Sequence, residues 1–384
     1  MWSEDSASEG AMLMKSILMY SSRPVEFHII CDHDAETYLR GRLALVERPA
    51  HPLLVRFYRL TWEQMTARIA REGAITTDHS AGIPGLMKLF IHEILPPSVA
   101  RAIFVDTDAL FISDAAALWD VFGTLSPAAA LAVPTHPDQS APEWHDANRI
   151  CSCIMLLDLA RLRAVRLMDS ELYRRAAPPP GPGSDADDEP DLTDPAALAA
   201  AYLPSAPPPR RALAPRAFRA MFGPPAGATG HYAGVKLGDQ GYWWALVDHY
   251  RALAAHLPYD WEVSSCLMDM YLTGLGADAA REAAEAGRMV HTEGTPHDGE
   301  AVVPRMLHFN CLDGPARFFE WDGWADPENS LTKRWWPAVQ YHVGFKWLWL
   351  NRRRDMPAGN VTIETVEDVK FADELFAIER GVLV

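Results

Sequence analysis

An α/β fold with a mostly parallel sheet is predicted, and three observations predict it. Short apolar runs alternate with segments of helical periodicity through the first half of the chain. The run Ala102 to Val105 is short and continuously apolar, as a strand buried on both faces is. One of them, Ala102-Ile103-Phe104-Val105, runs straight into Asp106-Thr107-Asp108. In open α/β sheets ligands bind at the carboxyl ends of strands. Two carboxylates one residue apart repel each other, and a cation between them relieves the repulsion.

The elements follow in order. Leu13, Ile17 and Tyr20 fall at helical spacing and predict a helix over 11–21. Val25 to Cys31 and Leu53 to Leu60 read as strands. Trp62, Met65 and Ile69 share one face of a helix over 62–72. Leu86 to Leu95 reads as a helix stopped by Pro96-Pro97. After Ala102 to Val105, further strands are expected at Ala129 to Val133 and Ile154 to Leu157. Residues 176–230 carry Pro178-Pro179-Pro180, Pro207-Pro208-Pro209 and the acidic run Asp185 to Asp188, and read as a flexible, disordered insertion. A helix is predicted from about Gln240 to Leu257, a strand from Met306 to Phe309, and an aromatic-rich helix from Trp335 to Leu350. The domain reading is therefore 1–175 as one half of a domain, 176–230 as the insertion, 231–355 as the other half, and 356–384 as a C-terminal tail.

The 384 residues are 49% hydrophobic, enough for a sizeable core. The net charge of −16 and the lack of a basic stripe argue against a nucleic-acid partner. An acidic chain still accommodates a pyrophosphate when a bound cation reverses the local field. The five cysteines show no paired C-x-x-C spacing, so no structural zinc site is predicted. Cys151 and Cys153 would face one side of a strand as buried thiols. No apolar run is long enough to span a bilayer, and no basic segment with an apolar stretch opens the chain.

Four segments in this order carry a resemblance. They are Ser80-Ala81-Gly82-Ile83-Pro84-Gly85-Leu86-Met87-Lys88-Leu89, then Ala102 to Asp108 followed by Leu118-Trp119, then Gly238-Asp239-Gln240, then Leu307-His308-Phe309-Asn310. Together they resemble glycosyltransferase family 8, with the nearest likeness to the xylosyltransferase-type domain of the LARGE enzymes. The resemblance covers roughly residues 11–175 and 231–325.

It implies a GT-A fold, Rossmann-like, with a central sheet flanked by helices. It implies a metal-dependent, retaining transferase that moves xylose, glucose or a similar sugar from a UDP-sugar to a glycan or glycoprotein acceptor. Asp106 and Asp108 match the metal-binding D-x-D, and His308 matches the family's histidine ligand. Such a set suits Mn²⁺, with Mg²⁺ the alternative. Lys88, Asp106, Thr107, Asp108 and Arg317 are the expected donor-binding residues. Asp239 and Gln240 match the pair placed near the donor sugar, and Asp239 also stands where it can cap a helix. The Golgi or another secretory-pathway lumen is the implied location. The literal sequence, without leader or anchor, reads as soluble and cytoplasmic.

Three departures from the family stand out. Its opening strand, which supplies part of the base pocket, should precede the helix at 11–21; Met1 to Gly10 is rich in Ser, Glu, Asp and Ala and is not that strand. Such a loss predicts an open sheet edge or gap. Cys151-Ser152-Cys153 stands where the family has Asn, a small residue and Gly. Past His308 the family's Gly and diphosphate-binding Lys are missing, which makes Arg317 the candidate replacement. These departures motivate a second reading, a degenerate or truncated transferase-like binding module. A metal-dependent phosphohydrolase is a third class, but it lacks further metal-binding acids or a nucleophile signature.

Overall fold

The computed structural model describes residues 1–134, 149–176, 190–206, 209–265 and 304–382. Among the described residues it is a mixed α/β structure with three sheets. The strands are β1 (Val25–Cys31), β2 (Leu53–Arg59), β3 (Arg101–Val105), β4 (Ala109–Phe111), β5 (Leu131–Pro134), β6 (Ile154–Asp158), β7 (Ala254–Leu257), β8 (Val263–Ser264), β9 (Met306–His308) and β10 (Val361–Val366). The helices in the first half are α1 (Glu4–Tyr20), α2 (His33–Leu43), α3 (Trp62–Glu72), α4 (Gly82–Leu86), α5 (Ile91–Ile94), α6 (Ala115–Asp120), α7 (Leu159–Ala164) and α8 (Glu171–Ala176). After these come α9 (Pro195–Ala201), α10 (Ala214–Phe222), α11 (Asp239–His249), α12 (Ser330–Gly344) and α13 (Ala372–Glu379).

The first sheet has the order β1-β2-β10, all parallel. The second has the order β3-β6-β5-β7, with β5 and β7 parallel and β6 antiparallel to both its neighbours. The third, β4-β9-β8, is short and pairs Ala109 with His308. The strands at 25–31, 101–105 and 154–158 lie where the apolar runs predict them. Helix α1 starts earlier than its periodicity suggests, because the Ser3 side chain accepts from the Ser6 N–H and caps it, and Glu4 and Asp5 complement its amino end. Helix 86–95 is broken: α4 ends at Leu86, a 3₁₀ turn spans Met87–Phe90, and Phe90 at φ −112°, ψ 8° interrupts the α geometry before α5.

Two parts read as peripheral are structural. Of the 176–230 segment, residues 177–189, 207 and 208 lie outside the described residues. The rest holds α9, capped by Asp194 with Pro195 at its first turn, and α10. Leu198, Ala217 and Phe218 from these helices are fully buried in the main core. Their sequence is too Ala- and Pro-rich to look like core, yet a few large side chains suffice. The 356–384 segment is not a loose tail either. It supplies β10, which extends the first sheet in register with β2 (Val361 opposite Leu53), and α13. Asp373 of α13 is fully buried and accepts from Arg71 at 2.8 Å and from the Ser170 hydroxyl at 2.6 Å.

His92 of α5 is buried, with its Nε2 3.8 Å from Glu93 Oε1. Burial, reinforced by the nearby Arg163 and Arg68 cations, pulls its pKa down to about 3. The folded state holds it neutral, while the unfolded chain takes up a proton near pH 6.5. Its contribution to stability is thus complete above about 6.5 and is lost as pH falls toward 3. Between pH 6.5 and 4 the urea-unfolding free energy should fall more steeply for the native chain than for His92→Leu, by about 3 kcal/mol. Parallel pH profiles for the two would refute this.

Candidate active site

The D-x-D is held by backbone pairing on both sides. The Asp106 N–H donates to Cys153 O at 2.7 Å, prolonging the β3-β6 ladder. The Phe309 N–H donates to Asp108 O at 2.9 Å, where the β4-β9 ladder begins. This register sets His308 beside Asp108, with Nε2 3.6 Å from Asp108 Oδ1. Asp106, Asp108 and His308 each offer a ligand atom within 4.8 Å of the others, a set of two hard oxygens and one imidazole.

Lys88, on the 3₁₀ turn, reaches the same place. Its Nζ lies 2.9 Å from Asp106 Oδ1 and 3.6 Å from Asp239 Oδ2. Burial pulls the ammonium down, but Asp106 and Asp239 outweigh it and hold Lys88 above its ordinary pKa. Asp106 retains 29% side-chain exposure. Even so, desolvation by the surrounding protein is the largest influence, and with Asp108 and Asp239 it keeps the carboxyl above the usual range despite Lys88.

Asp239 is the first residue of α11, not its cap. The cap is Gly238, at φ 59°, a conformation that favours glycine. The Asp239 carboxylate is buried and faces Lys88 and Ser152 instead. Burial raises its pKa, opposed by Lys88 and by the Ser152 hydroxyl. Gln240 accepts from the Ser152 N–H at 3.5 Å. Cys151-Ser152-Cys153 therefore enters the site through Ser152, whose backbone N–H donates to Gln240 and whose carbonyl accepts from Lys88 at 3.4 Å.

Lys88, Asp106, Thr107, Asp108, Asp239, Gln240 and His308 all line one cavity of about 1940 Å³. Arg317 is not among its lining residues. Its guanidinium is clamped by Glu320 at 2.7 Å through both Nε and Nη2, and Nη1 reaches the Ser8 hydroxyl.

Two acids at the site carry no sequence signal. Glu262 is buried and accepts from His308 Nδ1 at 2.9 Å, which turns Nε2 toward Asp108. Burial opposes an imidazolium here, but Asp108, then Cys151 and Glu262, hold His308 well above its ordinary pKa. Glu9 of α1 lines the cavity and accepts from the Phe318 N–H at 3.0 Å. Burial pushes it up to about 7, against the Phe318 hydrogen bond and with the Asp108 charge. Only distance in the fold brings these acids in, since Glu262 lies 46 residues from His308.

Of the cysteines, Cys31, Cys151 and Cys153 are buried and not disulfide-bonded, and Cys311 is disulfide-bonded. Cys151, Cys153, Glu262 and His308 also cluster within 4.8 Å.

No family model matches the chain. Among curated proteins, xylosyl- and glucuronyltransferase LARGE2 of Rattus norvegicus is 37% identical over 122 residues, 32% of this chain and 17% of its own length. Xylosyl- and glucuronyltransferase LARGE1 of Homo sapiens is 36% identical over 110 residues, 29% of this chain and 14% of its own. The aligned stretch thus spans under a fifth of these relatives. Among solved structures, mouse xyloside xylosyltransferase 1 is similar at 13% identity and TM-score 0.46, covering 81% of this chain and 94% of that one. An active-site mutant of LgtC is similar at 11% identity and TM-score 0.41, covering 83% and 95%. Over about a third of its length the chain is thus similar to the LARGE xylosyl- and glucuronyltransferases.

Proposed function

We propose that the chain is a metal-dependent retaining glycosyltransferase of the GT-A type, moving a sugar such as xylose or glucose from a UDP-sugar to a glycan or glycoprotein acceptor. The observation that carries this reading is the convergence of Asp106, Asp108 and His308 with Lys88, Asp239 and Gln240 on one cavity. The donor set of two carboxylates and one imidazole fits Mn²⁺, and suits Mg²⁺ less because of the nitrogen. When bound, the ion would supply Lewis-acid stabilisation of the departing diphosphate.

This chain's own residues do the rest. Lys88 neutralises Asp106 and Asp239, which keeps these two carboxylates close without mutual expulsion. Asp239 and Gln240 are assigned to positioning the donor sugar. In retaining transfer the anomeric carbon–oxygen bond to the diphosphate breaks while the acceptor oxygen bonds the same face, and the acceptor proton passes to the departing diphosphate. Such a front-face step asks the protein for orientation and charge stabilisation. For Arg317 no diphosphate role is proposed, given its engagement by Glu320.

A secretory-pathway lumen is the proposed location, as the likeness to the LARGE enzymes implies. No helix among the described residues is long and apolar enough to cross a membrane.

The test is calorimetric titration of UDP with and without Mn²⁺, followed by UDP release across a panel of donors. Mn²⁺-dependent binding with donor-dependent release supports the reading. Binding without turnover favours a binding module, and release of inorganic phosphate from simple phosphoesters favours a hydrolase.

Glu262 gives a sharper check on the metal assignment. Partners that hold a ligating histidine typically contribute 10- to 100-fold in metal affinity. Glu262→Leu should weaken Mn²⁺ binding by about that factor, while Glu262→Gln, which keeps an acceptor for the Nδ1 proton, should recover most of it. Equal Mn²⁺ titrations for Glu262→Leu and the native chain would remove His308 from the ligand set or Glu262 from its support.

A further inference from the structure

Behind His308 lies a second set of donors, chemically unlike the first. Cys151, Cys153, Glu262 and His308 each offer a ligand atom within 4.8 Å of the others. None of the four is more than 3% exposed. Three separate pieces of backbone hold them. Cys151 and Cys153 precede β6: the Cys151 N–H donates to Pro134 O at 3.0 Å, and Cys153 O accepts from the Asp106 N–H at 2.7 Å. Glu262 precedes β8, and His308 ends β9, which pairs in parallel with β8. Because the donors come from segments far apart in the chain, their spacing gives no zinc signal in the sequence.

The arrangement suits a small tetrahedral ion. Zinc–sulfur bonds of about 2.3 Å and zinc–nitrogen or zinc–oxygen bonds of about 2.0–2.2 Å place tetrahedral donors about 3.3–3.8 Å apart. Cys151 Sγ stands 3.9 Å from His308 Nδ1, and Glu262 Oε1 stands 2.9 Å from the same nitrogen. The Cys153 N–H donates to Cys151 Sγ at 3.4 Å, and such a bond favours a thiolate. Packing alone gives no reason for a carboxylate and an imidazole beside two buried thiols, since burying such groups costs free energy. Cys151, Cys153 and His308 also line the cavity, which gives an ion a way in.

We propose that Cys151, Cys153, Glu262 and Nδ1 of His308 form a zinc site, on the opposite side of the imidazole ring from Asp106 and Asp108. Two thiolates select a borderline-soft ion over Mn²⁺ or Mg²⁺. On binding, the two thiol protons and the Nδ1 proton leave to solvent, and four bonds to the ion form. Glu262 passes from hydrogen-bond acceptor to ligand, and nothing is oxidised or reduced. The loaded site carries one net negative charge. Lys88, whose Nζ lies 3.4 Å from the carbonyl of Ser152 between the two cysteines, offsets it.

The shared ring has a consequence that rests on the transferase reading. A neutral imidazole carries one lone pair, so His308 serves one ion at a time. Zinc on Nδ1 leaves the proton on Nε2, which faces Asp108 at 3.6 Å, and so removes the nitrogen from the Mn²⁺ set. Zinc held here therefore inhibits transfer.

The experiment titrates Co²⁺, a spectroscopic stand-in for zinc, into the full chain under argon and then adds Zn²⁺. A thiolate-to-cobalt charge-transfer band with the visible bands of a tetrahedral ion is expected, saturating at one ion per chain and bleached by Zn²⁺. Cys151→Ala with Cys153→Ala should abolish the band and weaken Zn²⁺ binding by at least about a hundredfold, the upper end of what loss of a supporting partner costs. Cys31→Ala and Asp108→Ala should both keep the band. No charge-transfer band in the folded native chain overturns the site, and so does a Cys151–Cys153 disulfide in its peptide map. A band that survives in the double-cysteine variant overturns it too, because thiolates elsewhere then carry it. Inhibition is read separately. With Mn²⁺ in excess, one equivalent of Zn²⁺ should abolish Mn²⁺-dependent UDP binding in the native chain and spare it in the double-cysteine variant. Equal loss in both overturns the inhibition and puts zinc on Asp106 and Asp108. A native chain that binds no UDP with Mn²⁺ defeats the transferase reading, and the cobalt band still decides the zinc site.

Discussion

Replacing Asp108 with alanine is expected to cut donor-dependent transfer by about a thousandfold, matching the several kcal/mol that a bound cation contributes to a leaving diphosphate. Mn²⁺-dependent UDP binding should be lost as well. The fold should survive, because the pairing of this residue with Phe309 is made by its backbone carbonyl, and its side chain is 31% exposed. A second readout separates loss of chemistry from loss of structure. Asp108 is the strongest influence raising the His308 pKa, so the alanine variant should bring the imidazole titration down. Undiminished Mn²⁺-dependent UDP binding by Asp108→Ala would end the assignment of this carboxylate. A variant that loses transfer while His308 titrates as before would point to a structural fault.

The second large effect is on stability. Arg68 of α3 is fully buried. It forks onto Glu93 with bonds of 2.8 and 2.9 Å, donates to Asp169 O, and stacks over Phe90 at 4.2 Å. Glu72 and Asp373 lie within 3.7 Å of it. Burial opposes the charge of Glu93, and Arg68 is the main influence that offsets it. Arg68→Met leaves buried carboxylates without their cation and should cost about 3–5 kcal/mol. Against a typical total of about 5–15 kcal/mol that is a large share. The double variant Arg68→Met with Glu93→Met should recover much of the loss, since a packed apolar pair can replace a buried ion pair. Denaturant melts of the two variants decide it: if the double variant is no more stable than the single, the cost does not come from the orphaned Glu93.

Much of the candidate site could be proposed from the sequence because its residues sit in short, ordered motifs that carry the family resemblance. The end of β3, Asp239-Gln240 and the Leu-His-Phe-Asn segment could be read as a set, and Lys88 could be placed from its neighbours. The strand Val25–Cys31 was legible from Val25, Phe27, Ile29 and Ile30. What escaped had no local signature. Glu262 and Glu9 act through partners 46 and 309 residues away, so only the folded chain reveals them. The last strand and α13 escaped for the same reason: β10 alternates half-buried and exposed residues, which looks like surface until β2 is placed beside it. Arg317 illustrates the converse. The family resemblance nominated it as a stand-in for a missing lysine, but Glu320, three residues on, engages it.

The position of β10 has a consequence for synthesis. β2 is complete at Arg59, yet the strand that covers its far edge begins at Val361. At roughly 5–20 residues per second, about 300 residues of translation separate the two, so that edge stays open on the ribosome for on the order of 15–60 s. Arg56, which pairs with Glu26 and Glu364 on the strands flanking it, puts a charge in the middle of the waiting edge. A charge at such a place discourages pairing with other nascent chains. The same arginine that joins the finished sheet thus acts as a gatekeeper while the polypeptide is still being made.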